Sequence, residues 1–136
     1  DVYKRQTFHA SSDTRQYLSN RSTTGALKVV CPIIDNTDLN LGQGDLAAIT
    51  VRVIDANNQS SNSQVIARAC AWMSTDSTSG SCNGDDKTST TGMGYDDLLP
   101  PLGALGTEAE TAYIYITLPK RLTQEASLVS SILFEE

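Results

Sequence analysis

The sequence predicts an all-β protein, an antiparallel β-sandwich of about seven or eight strands with jelly-roll or Greek-key connections. Three observations predict it. Residues Thr111 to Pro119, T-A-Y-I-Y-I-T-L-P, alternate strictly. That pattern puts Ala112, Ile114, Ile116 and Leu118 on one face of an extended segment, and Thr111, Tyr113, Tyr115 and Thr117 on the other. No window carries a convincing helical period. The apolar segments are short and separated by stretches rich in Ser, Thr, Asn, Asp and Gly, the punctuation of strands and turns. An up-and-down barrel is the alternative architecture, and no internal repeat is found.

In chain order, Asp1 to Gln6, D-V-Y-K-R-Q, matches the translated end of a transposase adaptor used to build sequencing libraries. It is set aside from the fold, and on that reading the export signal expected of the protein was lost with the natural start. Residues 7–25 are polar and weakly patterned, with Phe8, Tyr17 and Leu18 as the large apolar groups, and read as an arm or edge strand. Residues 26–136 read as a single sandwich domain. Ala26 to Ile34 is its first strand, with Leu27, Val29, Cys31 and Ile33 on one face. Val30 and Ile34 make the other face partly apolar, as in a strand near the middle of a packed sheet. Pro32 removes a ladder donor and puts the strand's end at an edge or a bulge.

Asp35 to Asp45 is a loop. Leu46 to Ile54 is the second strong strand, with Ile49, Val51 and Val53 inward, and the polar run Asp55 to Ser63 reads as a hairpin turn. Gln64 to Met73 returns as a strand with Val65, Ala67, Ala69, Ala71 and Met73 on one face and Ile66, Arg68, Cys70 and Trp72 on the other. Ser74 to Gly94 is polar, with a short strand expected at Lys87 to Thr91. Asp96 to Gly106 reads as a loop that tucks Leu98, Leu99 and Leu102 under one end of the sandwich. After Thr111 to Leu118 comes a turn at Pro119, Lys120 and Arg121, then a last strand from Ser127 to Phe134 with Leu128, Ile132 and Phe134 inward.

About 130 residues are enough for one real core. Charged residues make up 19% of the chain, below the usual quarter, whereas Ser and Thr supply 30 of 136 positions. A hydroxyl-rich surface poor in Lys is commoner in extracellular β-proteins than in cytosolic enzymes. The net charge is −6, or −7 once Asp1, Lys4 and Arg5 are set aside, so no nucleic-acid partner is expected. No apolar run reaches the 18 or so residues of a membrane span.

Cys70, at a strand end, and Cys82, in the polar loop that follows, are spaced to close as a hairpin-stapling disulfide. In the chain-entropy model such a loop contributes on the order of 3 kcal/mol. Cys31 is then a free thiol acting as a small buried hydrophobe. The alternative pairing joins Cys31 to Cys70 across the sandwich. With one histidine, His9, and no two cysteines at ligand spacing, a zinc site is not expected.

V-V-C-P-I at Val29 to Ile33, Y-I-Y-I-T-L-P late in the chain and an acidic last strand together resemble a group of secreted bacterial β-sandwich domains. That group places a cysteine after a short Ala/Ser run near the start and another before the late Leu-Pro. Here Asp13 and Ile116 stand at those places. The resemblance covers most of residues 9 to 135. It implies an exported protein with a disulfide, and no activity.

His9 is the single imidazole, it lies in the arm, and no Gly-x-Ser-x-Gly elbow is present, which argues against nucleophilic catalysis. The acidic pairs Asp85-Asp86 and Asp96-Asp97 could serve a hydrolase, but neighbours on an extended chain point opposite ways. Oxygen-rich loops at Asp35, Asp38, Asn40 and Asp45, or at Asp76, Asn83, Asp85 and Asp86, could hold calcium, although neither has the spacing of a known calcium loop and solvated loops are the simpler reading. No cofactor is expected. For carbohydrate, Tyr113, Tyr115 and Trp72 are the candidate stacking groups, against the simpler reading that the tyrosines are strand-favouring residues. Asn20-Arg21-Ser22 and Asn58-Gln59-Ser60 fit the glycosylation sequon, which matters only in a eukaryotic source. The expected function is an exported structural or surface-interaction module, without catalysis, meeting a cell-surface protein or polysaccharide outside the cell or in the periplasm. A carbohydrate-binding module is the second expectation and an acidic-pair hydrolase the third.

Overall fold

Alternation dictates two-faced strands, and two-faced strands must pair their apolar sides. A computed structural model of the chain describes residues 8–10, 16–33, 46–57, 63–72, 81–82, 84–89, 92–103, 105 and 111–135. They form ten strands: β1 (Phe8–Ala10), β2 (Gln16–Ser19), β3 (Leu27–Ile33), β4 (Ala48–Asp55), β5 (Ile66–Trp72), β6 (Ser81–Cys82), β7 (Asp86–Lys87), β8 (Gly94–Leu98), β9 (Thr111–Leu118) and β10 (Leu128–Glu135). No α-helix occurs among the described residues.

Two antiparallel sheets pack face to face. The first has the order β1-β2-β10-β4-β8 and the second β3-β9-β5-β6, with β7 also paired to β5. The pairing is nested: β2 with β10, β3 with β9, β4 with β8, and β5 with β6 and β7. A long hairpin folded in this way and rolled so that alternate pairs fall in opposite sheets is a jelly roll, and β1 extends the first sheet by one short strand. The chain is therefore a sandwich and not a closed up-and-down barrel.

The core lies between the sheets. The second sheet contributes Leu27, Val29, Ile33, Ala67, Ala69, Ala112, Ile114, Ile116 and Leu118, and the first contributes Ile49, Val51, Val53, Leu98 and Val129, all buried. The run of alanines on β5 is thin, and the branched residues Ile114 and Ile116 of β9 stand beside it in the same sheet.

Several expectations change. Among the described strands β3 ends its sheet and does not lie in its middle, and Val30 on its outer side is 53% exposed. Its place at the edge also accommodates Pro32, because an edge strand leaves one side of its backbone unpaired. The run from Asp55 to Ser63 does not join a hairpin: β4 and β5 lie in different sheets, and Asp55 and Asn57 are buried. The segment expected to be a loop from Asp96 begins as strand β8, where Leu98 pairs with Val51 inside the core. The short strand expected at Lys87 to Thr91 is Asp86–Lys87. In β10 the register slips between Val129 and Ser131. Val129 therefore turns inward, Leu128 faces outward opposite Ile54, and Ile132 returns to the core side opposite Val51. Phe134 keeps the core-side position, opposite Ile49, but is 45% exposed near the strand's end. An extra residue flips every side chain beyond it, and nothing in the local composition announces one.

Candidate functional site

β9 is flanked on both sides, by β3 and by β5, so its alternation gives a fully buried inner face and an outer face set among neighbours. Tyr113 and Tyr115 stand on that outer face, each half-buried. Tyr113 is paired with Pro32 on one side and Cys70 on the other, and Tyr115 with Val30 and Arg68. Residues two apart on a strand lie about 7 Å from each other, and adjacent strands about 4.8 Å. The two phenols thus occupy same-side positions two residues apart on a sheet face whose near edge is the exposed Val30 and Pro32.

The polar groups of the face come from β5 and the segment after β6. Arg68 Nη2 donates to Asp85 Oδ2 at 3.3 Å, both groups part-exposed. Burial, and then the neighbouring phenol of Tyr115, raise the pKa of Tyr113 above the ordinary tyrosine value. Cys70 and Cys82 sit opposite one another on β5 and β6 and form the disulfide, with Cα atoms 4.3 Å apart. The expected staple is present, and the Cys31–Cys70 alternative falls. Cys31 is a free, half-buried cysteine packed against the core opposite Ile114, and burial raises its thiol pKa.

Other candidates are dispersed. Trp72 ends β5 opposite Thr111, and its side chain lies outside the described residues. The calcium candidates Asp35, Asp38, Asn40, Asp45, Asp76 and Asn83 also lie outside them, and no cluster of potential metal ligands occurs among the residues described. The side chain of His9 is likewise outside. The acidic pairs do not converge. Asp85 holds Arg68, and Asp86 Oδ2 accepts the backbone N–H of Leu99 at 2.7 Å. Asp97 accepts the Tyr95 hydroxyl at 2.7 Å and pairs with Arg52 at 3.3 Å.

The densest polar cluster among the described residues is one that local sequence patterns did not mark. Asp55, 2% exposed, accepts the Ser127 hydroxyl at 3.2 Å and the Asn57 backbone N–H at 2.9 Å through Oδ1, and the Thr88 hydroxyl through Oδ2. Ser127 Oγ in turn accepts the Ala56 backbone N–H at 3.0 Å, and Thr88 Oγ1 accepts that of Val65 at 3.0 Å. Asp55 belongs to the first sheet and Thr88 follows β7 of the second, so the cluster clasps the two sheets together at one end. A serine beside an aspartate invites a catalytic reading, but Ser127 is wholly buried and no imidazole among the described residues contacts it. A second buried polar tie involves the first sequon: Asn20 Nδ2 shares its hydrogens among the carbonyls of Gly25, Leu118 and Pro119 at 2.9 to 3.1 Å. A sugar could not be attached to that nitrogen in the folded state; Asn58 of the second sequon lies outside the described residues.

What the fold and this face define is a class: a disulfide-bearing jelly-roll sandwich with a tyrosine-studded outer sheet. The chain matches no known family model and no curated protein.

Proposed function

We propose that the chain is an exported β-sandwich module that acts by binding, presenting the outer face of its second sheet to a cell-surface protein or polysaccharide. The observation that carries this reading is the placement of Tyr113 and Tyr115 side by side on one sheet face edged by the exposed Val30 and Pro32. Disulfides persist in oxidising compartments, so the Cys70–Cys82 bridge supports export. No helix among the described residues is long and apolar enough to cross a membrane. Fold alone carries no function, and jelly rolls serve many.

The second reading, a carbohydrate-binding module, draws on the same two rings. A sugar presents an apolar C–H face that packs on a phenol, while Arg68 of the neighbouring β5, paired with Asp85 from the segment after β6, offers polar groups to take hydroxyls. Affinity electrophoresis through gels of soluble polysaccharides, sedimentation with insoluble ones and retention on bacterial envelope preparations form the test. Retention on at least one surface, with no release of new reducing ends, is the expected result. Release of sugar from any of them would make the protein a hydrolase and end the binding-module reading.

A further inference from the structure

We propose a second binding site, on the opposite sheet, for a carboxylated sugar unit of the uronate type carried by an acidic polysaccharide. The outer face of the first sheet holds a cleft of about 490 Å³, within the range of small-ligand sites. Its floor is apolar: Ile54 of β4, Leu128 of β10, paired to it, and Ala56 just beyond β4. Tyr17 of β2 stands beside them, and Arg21, Arg121, Gln124 and Glu125 line the rest. The loop carrying Arg121 is bound to the loop carrying Arg21, since the Arg121 backbone N–H donates to the Ser22 carbonyl at 2.7 Å. The two guanidinium-bearing segments are thereby held side by side.

Charge makes this cleft unusual. The whole chain carries −6, and the described pairs Arg52–Asp97 and Arg68–Asp85 neutralise their own arginines. Neither Arg21 nor Arg121 has an ion pair among the described residues, and Glu125 in the same cleft pairs with neither. The Nε of Arg121 is buried and finds no acceptor among them. A buried donor without an acceptor is costly, and the Nε–H and Nη–H edge of a guanidinium matches the two oxygens of a carboxylate. A carboxylate alone would need no apolar floor and no tyrosine. A uronate ring offers the C–H face that Ile54, Leu128 and Tyr17 suit, and hydroxyls that Gln124 and Glu125 can reach.

The site is independent of the tyrosine face, and the variants keep the two apart. Isothermal titration with tri-galacturonate should show saturable binding that weakens as salt rises. Arg121→Gln and Arg21→Gln should each weaken it at least tenfold, and the Tyr113→Ala/Tyr115→Ala double variant should leave it unchanged. Arg21 is exposed, so its variant carries the test even where Arg121→Gln disturbs folding. No binding at millimolar tri-galacturonate, equal binding of a neutral galactose trimer, displacement by acetate or a peptide carboxyl terminus at the same concentration, or indifference to Arg21→Gln would each overturn the proposal.

Discussion

At the residue scale, two buried polar side chains and two titrating groups set the expectations. Asp55 holds three donors from three parts of the chain. Asp55→Asn turns one acceptor oxygen into a donor facing a hydroxyl or an N–H, and leaving such a group unsatisfied costs about 1–3 kcal/mol. Urea denaturation of Asp55→Asn should show a loss of that size; an unchanged midpoint would mean that the clasp contributes nothing. Asn20 ties the end of β2 to Leu118 and Pro119 in the same manner, and this tie was legible only as a misleading sequon. The Cys31 thiol, half-buried and raised in pKa, should resist iodoacetamide near neutral pH in the folded protein and react once unfolded, as mass spectrometry can count. Tyr113 gives the pH dependence. Its folded pKa is raised, so the unfolded chain loses this proton first as pH climbs. The contribution of Tyr113 is constant below the unfolded value of about 10 and is lost as pH rises through the folded one. Denaturant midpoints for Tyr113→Phe should decline less steeply above about pH 10 than those of the parent, and parallel slopes would remove Tyr113 as the cause.

At the scale of elements, period-2 patterning located β3, β4, β5 and β9 with their inner faces, because the apolar residues Leu27 and Val29, Ile49, Val51 and Val53, Ala67 and Ala69, and Ala112, Ile114, Ile116 and Leu118 recur at every second position. It failed where pairing decides. The exposure of Val30 goes with β3 ending its sheet among the described strands, and nothing in residues 26–34 says how many neighbours they have. The slip at Ser130 in β10 exchanges Leu128 for Val129, a choice made by the partner strand β4. β8 was hidden because Asp96 and Asp97 look like loop residues, whereas their strand is on the sheet edge with Arg52 beside it. The candidate site divides the same way: Tyr113 and Tyr115 were readable from alternation, but their companions Val30, Pro32 and Arg68 come from strands remote in sequence. Edge β3 carries its own protection in Lys28 and Pro32, features that discourage pairing with another chain. Pro32→Val should raise self-association in sedimentation velocity; a clean monomer at high concentration would show that another feature guards the edge.

At the scale of the whole molecule, the nested pairing β2–β10, β3–β9, β4–β8 and β5–β6 makes the jelly roll depend on contacts between distant parts of the chain. The disulfide closes the innermost pair, at a sequence separation of 12. Replacing Cys70 and Cys82 together by alanine should cost about 3 kcal/mol in the chain-entropy account, and a loss well below 1 kcal/mol would mean that the outer strands already hold that turn. The two sheets leave two outer surfaces, with the tyrosine face on the second. Its role is tested most directly by comparing the parent with the Tyr113→Ala/Tyr115→Ala variant on the surface that retains the parent. Each ring lost from a stacking contact is worth about 0.5–1.5 kcal/mol beyond its area. The predicted result is binding weakened at least tenfold with the folded state intact by circular dichroism. Equal binding by a folded double variant would contradict the assignment of that face.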